Sequence, residues 1–250
     1  MPYARAGDVD MFYEKMGYGE PILFLHSGYS RGILAFAGQL LDFQRGYTCY
    51  YPDFRGHGRS RCDSPAWSTP RLAEDAIGFL DALGIAKAHW IGYSLGANVG
   101  LYGAALHPGR VATLTTIGTS GFAEPEGADE YEPEWLLAHG KDDTIRLMAE
   151  RHEEAVRGDW RLYPQLTEAQ LGGIRCPSLL VTGEHDPFVG EAKIRRLGAL
   201  IEGSRTAVIA GGSHRPRMVR EYPEQVNDLM LGFVGEHPIG QRAPESEGNS

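Results

Sequence analysis

Residues 88–106 read AHWIGYSLGANVGLYGAAL, and the fold turns on how this stretch is read. Ala88 to Tyr93 is a short apolar run, the pattern of a strand buried on both faces. Leu95 to Leu106 carries small and apolar residues over a length that suits a helix. Between them stands Gly92-Tyr93-Ser94-Leu95-Gly96, a G-x-S-x-G pattern. Placed between a strand and a helix, this pattern makes a sharp turn that leaves the serine hydroxyl exposed at the strand's carboxyl end. The glycines let the turn pack closely against its neighbours.

Moving outward, strand-like and helix-like segments alternate, as in a parallel sheet with crossover helices. Strands are expected at Val9 to Lys15, Pro21 to Ser27, Tyr47 to Phe54, Val111 to Gly118, Ser178 to Gly183 and Thr206 to Ala210. Helices are expected behind Thr69-Pro70, taken as N-cap and first-turn proline, near Glu191 to Ile201, and from about Arg217 to Val234. The alternation breaks between Gly121 and Ile174, where helical segments follow an acidic start from Glu124 to Glu134. The expected architecture is therefore α/β: a mostly parallel, doubly wound sheet with a small helical cap insertion. Residues 1–120 and 175–236 form the core, residues 121–174 the cap, and residues 237–250 a polar, disordered tail.

Composition narrows the function classes. A chain of 250 residues fits one large domain and can bury an adequate core without metal or disulfide. The net charge of −9 argues against nucleic acid, and the short basic stretch Arg215, Arg217 and Arg220 does not alter that. Cys49, Cys62 and Cys176 are odd in number and have no metal-like spacing, so reduced thiols in a cytoplasmic protein are expected. No signal-peptide core or membrane-spanning apolar run is present in the sequence. The partner expected is a small-molecule substrate, with no cofactor, metal or membrane.

Serine is a weak nucleophile at neutral pH and needs an oriented base. Leu179 to Pro187 reads as a strand running into a loop that bears Asp186, and Gly211-Gly212-Ser213-His214 places a histidine on a later loop. Both lie at carboxyl ends of strands, where open α/β sheets assemble their sites. Ser94, Asp186 and His214 are thus the candidate catalytic residues. Glu184 is the alternative acid. Of the other histidines, His26 and His57 fit structural hydrogen bonding, and His185 shares the loop of Asp186. Acyl transfer also needs donors for an oxyanion. The N–H of Leu95 is one candidate, and the loop His26-Ser27-Gly28-Tyr29 supplies the other.

FLHSGYS (residues 24–30), YPDFRGHGRS (51–60), GYSLG (92–96), GEHDPF (183–188) and GGSH (211–214) together resemble the α/β-hydrolase superfamily. The segments occur in that family's order along nearly the whole chain. The resemblance implies that Asp53 to Ser60 is a structural turn and that the oxyanion loop follows a His-Gly-x pattern. Ser27 replaces the glycine here, leaving Gly28 as the favoured donor and Tyr29 as the second candidate. Serine at the elbow separates the chain from the dehalogenases and epoxide hydrolases of the superfamily, which carry aspartate there. Tyr29, Trp135, Trp160 and Phe188 are the candidate substrate-binding residues, the last three equally compatible with cap packing. The expected function is a serine hydrolase cleaving a small or medium carboxylester, lactone or thioester through an acyl-enzyme. The alternatives are a C–C bond hydrolase, an acyltransferase, a cyclase or a ligand-sensing receptor.

Overall fold

In the computed structural model, residues 2–123, 154–214 and 218–240 are described. Strands β1 (Tyr3–Ala6) and β2 (Val9–Met16) form an antiparallel hairpin, and β2 also pairs antiparallel with β4 (Tyr47–Pro52) and with the two-residue β5 (Arg61–Cys62). From β4 onward the sheet is parallel. It runs through β3 (Glu20–Leu25), β6 (Ala88–Tyr93), β7 (Val111–Ile117), β8 (Ser178–Gly183) and β9 (Arg205–Ile209). The spatial order is β1-β2-β4-β3-β6-β7-β8-β9, so after β3 the chain places β4 on one side and then β6 to β9 in succession on the other. This is the mostly parallel α/β sheet that the sequence pattern implies.

Strand alternation divides the core into two faces. Leu23, Leu25, Trp90 and Leu180 enter one cluster, whereas Ile22, Phe24, Ile91, Leu179 and Val181 enter the other. The period of two thus sends neighbouring residues to opposite faces, and both are apolar because helices cover both. The first face is covered by α3 (Thr69–Ala82), α4 (Leu95–Leu106) and two later helices, α6 (Glu168–Gly172) and α7 (Glu191–Leu200). Between α4 and α6 the described chain includes a further helix, α5, at residues 154–162. The second face packs on the segment holding α1 (Gly32–Ala35) and α2 (Leu40–Phe43), and on α8 (Met218–Glu221) and α9 (Pro223–Gly235).

Two expectations need correction. Thr69 is not an N-cap: Ser68 holds that position, and the backbone N–H and hydroxyl of Thr69 donate to the Asp159 carboxylate of α5 at 2.7 and 2.5 Å. Asp159 therefore serves α3 from a distant part of the chain, in the place where a local side chain would usually satisfy the free N–H groups. The helix expected from about Arg217 to Val234 is two, α8 and α9, with Pro223 opening the second. Of the tail, residues 237–240 are described, with His237 against the Phe233 ring at 5.0 Å, and residues 241–250 lie outside the described chain. The acidic start of the expected cap, Glu124 to Glu134, also lies outside it.

Candidate active site

Ser94 links β6 to α4 with φ 53° and ψ −115°, and it is the only non-glycine residue with positive φ among the described residues. Such a conformation costs on the order of 1–3 kcal/mol and persists only where its surroundings enforce it. The enforcement is visible on both sides. A methyl group at Gly92 would lie 2.2 Å from the Gly96 carbonyl oxygen, and one at Gly96 would lie 2.0 Å from that of Leu25. Both contacts are with backbone, so neither glycine can carry a side chain without moving a strand or helix.

The structure brings Ser94, His214 and Asp186 together from three loops at the carboxyl edge of the sheet. Ser94 Oγ is 3.2 Å from His214 Nε2, and His214 Nδ1 is 2.8 Å from Asp186 Oδ2. An ionised carboxylate can only accept, so Nδ1 carries the proton and Nε2 is left to accept from the serine hydroxyl. The second oxygen of Asp186 accepts from the backbone N–H groups of Phe188 and Val189 at 2.9 and 2.8 Å. Burial pushes the Asp186 carboxyl up. The nearby His214, its hydrogen bond and the two backbone donors outweigh burial and hold the carboxyl below its usual value.

The competing groups have other work. Glu184 is exposed and accepts from the Gly211 N–H at 2.8 Å, tying the Asp186 loop to the His214 loop. His185 is also exposed, and its backbone N–H donates to the Gly212 carbonyl at 2.7 Å. His26 Nε2 accepts from the Phe54 N–H at 2.9 Å, so its Nδ1 bears the proton and donates to the Ser27 carbonyl at 2.8 Å. His57 faces the Arg55 and Gly28 carbonyls at 2.9 and 3.0 Å. Both histidines thus brace the loop that holds Gly28 and Tyr29. Gly28 is buried and Tyr29 half-buried. In a trans peptide the N–H points opposite the preceding carbonyl, so anchoring the Ser27 carbonyl inward turns the Gly28 N–H away from that anchor. Leu95 lies at the first turn of α4, and a methyl built on Gly28 would stand 3.6 Å from its Cδ2.

Three supporting residues escape a sequence reading. The hydroxyl of Tyr93 donates to the backbone carbonyl of His214, tethering the histidine loop to the elbow itself. Gly118 ends β7 with φ +68°, and a methyl there would lie 3.0 Å from both Cε1 and Nδ1 of His214. Val156 of α5 reaches over Gly28. Each depends on contacts between segments far apart in the chain, for which only the glycine after a strand left a faint signal. Of the candidate pocket residues, Trp160 packs edge-on against Phe188 with centroids 5.1 Å apart, and Phe188 packs likewise on His214 at 5.1 Å. Trp135 lies outside the described residues.

A profile of the alpha/beta hydrolase fold matches residues 20–142. The chain has the α/β-hydrolase fold. It is 28% identical to the RutD protein of Azorhizobium caulinodans, which is named for carbamate hydrolysis, over 94% of the chain and 99% of the relative. It is 25% identical to the human serine hydrolase BPHL, over 90% of the chain and 83% of the relative. Among solved structures, the enol-lactonase of Burkholderia xenovorans LB400 superposes with a TM-score of 0.76 at 22% identity, covering 94% of this chain and 100% of the other. That likeness concerns the fold. All three cysteines of the chain are free thiols, and none of its described helices is long and apolar enough to cross a membrane.

Proposed function

We propose that this chain is a serine hydrolase that cleaves a small or medium ester-like substrate, a carboxylester, lactone or thioester, through an acyl-enzyme on Ser94. The observation that carries the reading is the unbroken chain of contacts from Ser94 Oγ to His214 Nε2 at 3.2 Å and from His214 Nδ1 to Asp186 at 2.8 Å. In the first step His214 takes the hydroxyl proton as Ser94 attacks the carbonyl carbon. The oxyanion is received by the N–H groups of Leu95 and Gly28, and His214 returns the proton to the departing alcohol or thiol. In the second step water, deprotonated by His214, attacks the acyl carbon and frees Ser94. Asp186 stays ionised and steadies the imidazolium that forms twice per cycle. The chemistry needs no metal or cofactor. Residues 121–174 act as the cap of this site, and residues 1–120 and 175–236 as its hydrolase core. The names of relatives, a carbamate hydrolase and a serine hydrolase, support hydrolysis in general.

The test is release of p-nitrophenol from p-nitrophenyl acetate and butyrate by wild type and Ser94→Ala. Turnover falling by roughly a factor of a million in the variant, with folding intact, is the expected result. A rate that survives the substitution sinks the reading.

A further inference from the structure

Helix α5 meets the site at two points one helical turn apart. Val156 lies at the oxyanion loop: a methyl group on Gly28 would stand 2.9 Å from Val156 Cγ2, with Leu95 Cδ2 on the same side at 3.6 Å. Four residues later, and so on the same helical face, Trp160 stands on Phe188, whose ring stands on His214. Between these contacts Asp159 fastens α5 to the start of α3 through both of its oxygens. The helix is therefore held in a fixed register over the reacting atoms.

The chemistry assigns opposite ends of a substrate to the two contacts. The atom that leaves must receive its proton from His214, so the leaving group lies on the His214 side, beneath Phe188 and Trp160. The acyl chain then extends the other way, past the oxyanion donors and against Val156. An aromatic edge-to-face pair offers apolar, flat surface and few polar partners. A branched aliphatic side chain packed onto the loop backbone leaves little depth. We propose, on the reading that Ser94 is the nucleophile, that α5 sets specificity for a short acyl group carried on an apolar, planar leaving group. Val156 limits the acyl side, and Trp160 with Phe188 receives the leaving group.

The experiment measures kcat/KM for two ester series, reading burst and steady release of the alcohol. One series varies the acyl chain from acetate to hexanoate on p-nitrophenol. The other varies the alcohol of an acetate from ethyl to phenyl, each rate taken relative to wild type so that intrinsic leaving ability cancels. Val156→Ala should raise the hexanoate-to-acetate ratio about tenfold or more, the scale of a methylene-sized change in a pocket, and leave the phenyl-to-ethyl ratio in place. Val156→Leu should lower that same acyl ratio. Trp160→Ala should lower the phenyl-to-ethyl ratio by about tenfold and leave the acyl ratio alone, while Trp160→Phe restores most of it. Ratios that do not move, or that move together in both variants, overturn the assignment of α5. Ester cleavage that is absent in wild type or unaffected by Ser94→Ala overturns the underlying reading instead.

Discussion

Asp186 and Asp159 are each 7% exposed, yet their surroundings pull them in opposite directions. Asp186, in the loop after β8, is drawn below its ordinary value because His214 and two backbone N–H groups oppose the effect of burial. Asp159, in α5, is pushed up, because burial there prevails over the two hydrogen bonds from Thr69. Burial alone predicts the same shift for both. What separates them is one ionisable partner: an imidazole beside the carboxylate, added to hydrogen bonds, outweighs burial, whereas hydrogen bonds from a hydroxyl and an amide alone do not. The first is suited to steady a transient positive charge. The second is suited to hold a helix in place.

Breaking this contrast at Asp186 should have the largest effect. Asp186→Asn keeps the volume and reverses the donor pattern at His214 Nδ1, favouring the wrong tautomer, so kcat should fall by about four orders of magnitude. Steady-state kinetics on an acetate ester checks it. Gly118→Ala attacks the pair sterically, with a methyl 3.0 Å from the ring and a φ of +68° that alanine tolerates poorly. A displacement of about 1 Å at His214 corresponds to roughly a hundredfold loss of kcat, with the chain still folded by circular dichroism. At Asp159 the effect moves from rate to stability. Asp159→Ala leaves the Thr69 donors buried without acceptors and should cost about 2 kcal/mol by urea denaturation.

The smallest and sharpest test is pH. The stabilisation from Asp186 is complete above its ordinary value of 3.8 and is lost as pH falls through the lowered folded value. That attached to protonated Asp159 is present below 3.8 and is lost as pH rises through the raised folded value. Asp159→Asn retains one acceptor and one donor for Thr69 and removes the ionisation. Its stability should therefore gain on wild type as pH rises from about 4 to 7, whereas Asp186→Asn should be less stable than wild type at pH 7 and converge with it towards acid. Denaturation midpoints from about pH 2 to pH 7 decide it, and parallel curves for the two variants would break the comparison.

The same contrast marks what the sequence made legible. Ala88–Tyr93, Leu95–Leu106 and Ser178–Gly183 have the boundaries that pattern alone assigns, because buried parallel strands and their following helices are locally consistent. Asp186 was legible for the same reason, standing just past a strand on a glycine-bearing loop. The short β1 and β5 were not, since four and two residues give too little periodicity. Thr69 misled because its partner is supplied by tertiary structure, 90 residues away, and Asp159 looks in sequence like any acidic residue of a polar insertion. Gly118, Tyr93 and Val156 acquire their roles only through neighbours brought close by the sheet order.

The positive φ of Ser94 has a consequence for how such a protein changes over generations. A glycine at that position would relieve the backbone at once and, on the proposed mechanism, remove the nucleophile with it. Selection for heat tolerance alone would find position 94 among its shortest routes, and the lineage would drift towards a sturdier, inert shell. On the proposed mechanism, the backbone strain at Ser94 is what it costs to hold a nucleophilic hydroxyl at that turn.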